Sequence, residues 1–205
     1  PIACIKEILE AQKRYNIPDN ILLAIGMQES GISRDGHGKV VWPYAANSHG
    51  KGYWFDNKEQ AANWVRKRIK SGVRSVDVGC MQINLRWHPD AFATIEDGFD
   101  PQKNVDYAAR LLVSRYRTMG SWIMGAGAYH SFTPDTRDKY IKHLRPKIAQ
   151  VNRDVEVYRD KVASYQVVET SSTKVPAARR NASKNGSFKW LSPNSGKPSS
   201  LWSQE

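Results

Sequence analysis

At 205 residues, with 40% apolar side chains and seven Trp, the chain has material for one ordinary domain with a real core and room for a tail. It holds no apolar run of the roughly 18 residues that a membrane-spanning helix needs. The formal charge of +11 points to polyanionic surroundings, but residues 1–150 carry 22 Lys+Arg against 15 Asp+Glu and residues 151–205 nine against five, so the excess is spread. With no Lys/Arg block alternating with aromatics, it reads as a steering field and not as a nucleic-acid reader.

The chain begins at Pro1, from which removal of an export signal, or of sequence added for expression, is expected. Cys4 to about Tyr15 reads as a first amphipathic helix. Asp19 is a suitable N-cap for a second helix, with Gly31 as its stop. Lys39–Ala46 and Gly52–Phe55 flank NSHGK and predict a small hairpin. Asn57 with Gln60 resembles a capping box for a helix ending before Gly72, and Arg74–Val78 suits a short extended piece. Asp100-Pro101 is a cap with Pro at the first helical position, opening a helix to about Met119 with Gly120 beyond it. Ser121 starts a short helix through Tyr129, and Thr133-Pro134 another, bent at Pro146.

Composition shifts near residue 151, which divides the chain into a domain over 1–150 and a basic extension over 151–205. VNRDVEVYRDKVASYQVVE (151–169) suits helix or strand equally. From about Thr170 the extension is dense in Ser, Lys, Asn, Pro and Gly, interrupted by Trp190 and Trp202, and cannot bury enough apolar surface to offset its ordering entropy. The fold class is mainly α (α+β), with a minor β element.

In LLAIGMQESG (22–31), Leu22, Ile25 and Glu29 share a helical face, so an apolar stripe ends in an acid. Desolvation disfavours the anion and raises such a carboxyl from its usual value of about 4.3, leaving a proton to give near neutrality. That is the requirement of a general acid at a glycosidic oxygen. Gly26, one turn below, is expected to leave open space beside it. The plainer alternative is a Glu exposed at a frayed helix end. The two cysteines, Cys4 and Cys80, form a disulfide in an exported protein or stay as buried thiols.

Three further pieces join Glu29-Ser30: Gly79-Cys80-Met81-Gln82-Ile83, then Ala128-Tyr129-His130, then Tyr140. In order and spacing, over roughly residues 4–148, they resemble the bacterial soluble lytic transglycosylases, relatives of goose-type lysozyme that cleave peptidoglycan. The resemblance implies a lysozyme-like fold with Glu29 as the single catalytic acid/base. It also implies a substrate-binding set of Ser30, Met81, Gln82, Tyr129, His130 and Tyr140, with Met81 and Gln82 lining the saccharide groove. Two departures stand out. Cys80 replaces the usual Leu and supports a Cys4–Cys80 bond, and His130-Ser131 replaces the usual Asn-Ala, which leaves the contact at position 130 open. The insert over 39–55 carries Trp42, Tyr44, Tyr53 and Trp54, which form a groove wall or simply pack the hairpin.

The resemblance implies peptidoglycan glycan strands as partner, an exported or periplasmic site of action, and no cofactor. Position and composition make the extension a candidate contact to a secretion, flagellar or other envelope-spanning assembly. The nearest rival is a hydrolytic lysozyme with Asp77 as second carboxylate, Asp35 and Asp56 lying outside recognisable motifs; the plain reading of Asp77 is a loop residue bonding nearby backbone amides. A non-catalytic basic cell-wall-binding protein is the third reading. His37, His49, His88, His130 and His143 show no metal-ligand spacing, and His88 and His143 read as surface or capping residues.

Overall fold

The computed structural model describes residues 2–34 and 38–172. Asp35, His37, and the chain from residue 173 onward with Trp190 and Trp202 lie outside the described residues.

Helix α1 (Ile2–Arg14) buries Cys4, Ile5, Ile8 and Ala11, the single stripe its sequence spacing predicts. Helix α2 (Ile21–Glu29) is different, because every residue from Ile21 to Met27 is buried. An apolar helix without a polar face belongs in the middle of a core, and α2 is wrapped by α1, α5 (Trp122–His130) and α6 (Pro134–Ser172).

The start of α2 corrects the expected cap. Asp19 and Asn20 both take left-handed backbone (φ 54° and 52°), and neither side chain caps the helix. The cap comes from α1 instead: Gln12 Oε1 accepts the Leu23 amide at 3.0 Å, and Gln12 Nε2 donates to Asn20 Oδ1 at 3.0 Å. A distant side chain thereby satisfies an amide that the helix itself leaves unpaired. Asn20 Nδ2 donates in turn to Asn152 Oδ1 on α6 at 2.7 Å. Gly31 is not the stop either; Ser30 ends α2, and Gly31 opens a strand.

That strand revises the hairpin. β1 (Gly31–Arg34) pairs antiparallel with β2 (Gly38–Val41), while β3 (Ala45–Ser48) pairs with β4 (Lys51–Trp54). Pro43, which has no amide to give a ladder, lies in the turn that separates β2 from β3. At the β3–β4 turn His49 and Gly50 both have positive φ (53° and 71°), as a type I′ hairpin requires. β5 (Asp77–Val78) and β6 (Ile83–Asn84) extend the second pair into a sheet of order β4-β3-β5-β6.

Helix α3 (Lys58–Lys70) starts at Asn57, whose side chain accepts the Gln60 amide at 2.9 Å. Helix α4 (Pro101–Met119) starts at Asp100, which accepts the Lys103 amide at 3.1 Å, and closes on left-handed Gly120. Helix α6 continues past Pro146, which faces solvent, where water can take the carbonyl its ring leaves free. It also crosses the compositional shift at 151, so the ambiguous stretch is helix, and Val151 and Tyr158 are buried in the core.

Two apolar clusters result. The larger gathers α1, α2, α4, α5 and α6; the smaller packs Ala61, Ala62 and Val65 of α3 against Ala46, Val76, Val78 and Phe99. Tyr44 and Phe92 touch both clusters. The architecture is mainly α with a small antiparallel sheet, as a lysozyme-like fold requires.

Candidate active site

Because α2 is buried nearly to its end, its last residue leaves the core as an acid. Part of the Glu29 side chain reaches solvent, but its carboxyl is surrounded by protein, and that burial pushes it up to about 8. Nearby negative charge on Asp77 adds to the rise, and a hydrogen bond opposes it: Tyr140 Oη on α6 donates to Glu29 Oε1 at 2.6 Å. Tyr140 is itself buried, and burial together with the Glu29 charge holds its phenol well above the usual range, so it remains a donor. The Gln28 carboxamide comes close to the same hydroxyl without a hydrogen bond of good geometry, and both its polar atoms are buried and unpartnered.

The space below Glu29 is filled. A Cβ on Gly26 would lie 2.9 Å from Ile8 Cδ1 and 3.2 Å from Met81 Sδ. Gly26 thus admits the close approach of α1 and the Met81 side chain; the expected opening is absent.

Met81 and Gln82 stand in a loop whose side chains turn inward. Met81 is wholly buried, and its carbonyl accepts Tyr129 Oη at 2.9 Å. Gln82, with φ 49°, donates through Nε2 to the carbonyls of Ala45 at 3.1 Å and Gly79 at 2.9 Å. Ser30 is buried too, its hydroxyl donating to the Cys80 carbonyl at 2.7 Å. Cys80 forms the disulfide with Cys4, Cα to Cα 5.9 Å. Ser30, Met81 and Gln82 are therefore buried, their hydrogen bonds spent within the protein and not along an open groove. Of the others, Tyr140 bonds the acid directly, Tyr129 lies close enough to feel its charge, and His130 stacks on Tyr140 with ring centroids 4.5 Å apart. Burial lowers the His130 pKa from its usual value.

Asp77 is no loop residue. It lies buried on β5, and Asn84 Nδ2 on β6 donates to its Oδ1 at 2.9 Å. Burial lifts it to about 6, against the pull of that hydrogen bond.

Sequence reasoning missed the group that holds this loop. Asn104, on the first turn of α4 and fully buried, accepts the Met81 amide at 2.8 Å and donates to the carbonyls of Val78 at 3.0 Å and Gly98 at 2.9 Å. The only hint is an Asn inside a helix, where its propensity is poor. Gly79 completes the arrangement: its φ is +79°, and a Cβ there would collide with the Gly98 carbonyl and the Asn104 side chain.

Of the hairpin aromatics, Trp42 is buried and donates Nε1 to the Phe55 carbonyl at 2.9 Å, while Tyr53 packs on Trp64 at 4.4 Å. Packing therefore claims most of the set, leaving Trp54 exposed. Two further exposed rings, Trp87 and Phe132, were not anticipated. His88 hydrogen-bonds Tyr107 Oη through Nδ1 at 2.8 Å, and His143 Nδ1 contacts the Lys139 carbonyl at 2.8 Å.

The arrangement can hold a proton on one carboxyl, give it up to a bound oxygen and take one back. No curated protein and no solved structure matches the chain. A family model, the transglycosylase SLT domain, matches residues 6–147, which contain Glu29, the Gly79–Ile83 loop, Tyr129 and Tyr140. With most of its length matched, the chain belongs to the transglycosylase SLT domain family, whose members are lytic transglycosylases acting on peptidoglycan.

Proposed function

We propose that this chain cleaves the β-1,4 bond between N-acetylmuramic acid and N-acetylglucosamine in peptidoglycan, with Glu29 as sole acid/base and a 1,6-anhydro sugar as product. The observation that carries the reading is the protonated Glu29 carboxyl, raised to about 8 by burial and held by the Tyr140 hydroxyl. Glu29 gives its proton to the glycosidic oxygen as the C1–O bond breaks. Its carboxylate then takes the proton of the muramic C6 hydroxyl as O6 bonds to C1, and the acid is restored without consuming water. Tyr140 holds the carboxyl in one orientation and stabilises the anionic half of the cycle. Tyr129, tied to the Met81 carbonyl, borders the reacting sugar, and exposed Trp87 and Phe132 offer faces on which sugar C–H groups stack.

A hydrolytic reading draws on Asp77, whose carboxyl is buried, raised to about 6 and close enough for its charge to act on Glu29. Such an enzyme would use Asp77 to activate water or stabilise the glycosyl cation. An exported, periplasmic setting and an envelope-assembly contact through the basic extension over 151–205 belong to the same proposal and rest on charge, position and composition.

Digestion of purified peptidoglycan, with mass spectrometry of the soluble products, tests it. Muropeptides one water lighter than their reducing counterparts support transglycosylation. Reducing ends transfer the case to hydrolysis through Asp77. Full lytic activity in Glu29→Gln would sink both.

A further inference from the structure

Several cations of the domain are matched to a carboxylate. Arg66 pairs with Glu96, Arg137 Nε lies 2.9 Å from Asp138, and Arg110 Nε lies 3.0 Å from Asp106. Arg115, midway along α4 and only partly exposed, is not: no carboxylate among the described residues pairs with it, and its Nε is buried without a hydrogen-bond partner. Leaving such a donor unsatisfied is costly, which marks it as a group awaiting a ligand.

Its surroundings are arranged for one. The guanidinium carbon sits 4.7 Å from the centre of the Phe132 ring, which is 51% exposed. An aromatic face orients the planar fork and leaves its edge for an incoming acceptor. Two lines of neighbouring groups run from the patch toward the acid. Phe132 follows His130 by two residues, and the His130 ring stacks on Tyr140, the donor to Glu29. Along the second line the Arg115 charge acts on both His88 and Tyr107, which bond each other at 2.8 Å, and Tyr107 acts in turn on Tyr129. α5 presses on α4 at this level, since a Cβ on Gly125 would fall 2.7 Å from the Tyr116 amide nitrogen, so the patch has a firm floor.

The glycan has hydroxyls and acetamido groups along its length, but its anions are carboxylates: those of the peptide stem where one is attached, or that of the lactyl arm where the stem, whose amide bond uses the lactyl carboxyl, has been removed. A guanidinium fork is the side chain that best matches a carboxylate. Resting on the function proposed above, we propose that Arg115, seated on Phe132, receives a carboxylate of the strand, so that the enzyme reads the substituent on muramic acid as well as the glycan.

The test is a binding measurement in the inactive Glu29→Gln background, so it does not depend on cleavage. Co-sedimentation is compared on native peptidoglycan and on the same material with its carboxyls amidated by carbodiimide coupling. The parent should bind the neutralised wall about tenfold more weakly, the worth of one charge-assisted hydrogen bond. Adding Arg115→Gln should weaken binding to native wall to a similar degree and abolish the difference between the two walls. Lys142→Gln, which removes an equal charge from an exposed position on α6, should keep that difference. Arg115→Gln with the parent's ratio overturns the proposal. Should that variant lose its thermal transition, Arg115→Lys keeps the charge without the fork, and an unchanged ratio there overturns it equally. Competition with soluble amidase-stripped strands, in which hydrolysis of the stem amide has freed the lactyl carboxyl, then identifies the source: competition at least equal to that of stem-bearing strands assigns the lactyl carboxylate, weaker competition the stem. Loss of anhydro products in the wild-type digest would remove the proposed reaction and leave this binding result standing.

Discussion

Tyr140 Oη lies 2.6 Å from Glu29 Oε1, joining residues 111 apart in sequence, and this one bond opposes the burial that keeps Glu29 protonated. Tyr140→Phe should therefore raise the Glu29 pKa further, because the bond favours the anion. The alkaline limb of activity should move to higher pH while the maximal rate falls by about tenfold or more, as for a lost hydrogen bond to a charged group. Release of soluble muropeptides across a pH series measures both.

Glu29 should also cost the protein stability. Its folded pKa of about 8 exceeds the ordinary 4.5, so the folded state holds the proton more tightly. The resulting contribution is fully present below the ordinary value and is lost as pH rises through about 8. Glu29→Gln removes this dependence. Its melting temperature should match the wild type near pH 4 and exceed it at pH 8; a constant offset between those values would refute the linkage.

Asp77→Asn separates the two chemistries. Removing the negative charge should lower the Glu29 pKa and shift the alkaline limb of activity downward, with anhydro products retained. Loss of all cleavage in a folded variant would instead identify Asp77 as the second carboxylate of a hydrolase.

Asn104→Ala leaves the Met81 amide and the carbonyls of Val78 and Gly98 without their partner. Unsatisfied buried groups cost about 1–3 kcal/mol each, so denaturant unfolding should show a loss of about 3 kcal/mol or more. Activity should fall beyond what the unfolded fraction explains, because Met81 also holds Tyr129.

The features legible in the sequence are those whose cause is local. Asp100, Pro101 and Gly120 delimit α4 through contacts within a few residues, and Asn57 does the same for α3. The burial of the Glu29 carboxyl accords with its place at the end of an apolar run, a setting that also allowed an exposed acid at a frayed helix end. Hidden features depend on distant partners. The start of α2 is capped by Gln12 from another helix, and the strand beginning at Gly31 exists only because Gly38–Val41 folds back on it. The Met81–Gln82 loop carries no periodicity to say which way its side chains point, and Asn104 points them inward from 23 residues away. Arg115 and Phe132 are brought together by packing of α5 on α4.

The disulfide joins positions separated by 76 residues, and the groups around Glu29 arrive even later along the chain. A chain emerging from its N-terminus exposes the acid first, then Cys80, then Tyr129, and Tyr140 last. Glu29 is thus made long before the tyrosines that surround it. A chain truncated before α6 should carry Glu29 without the Tyr140 hydrogen bond and without the cover that α6 gives α2.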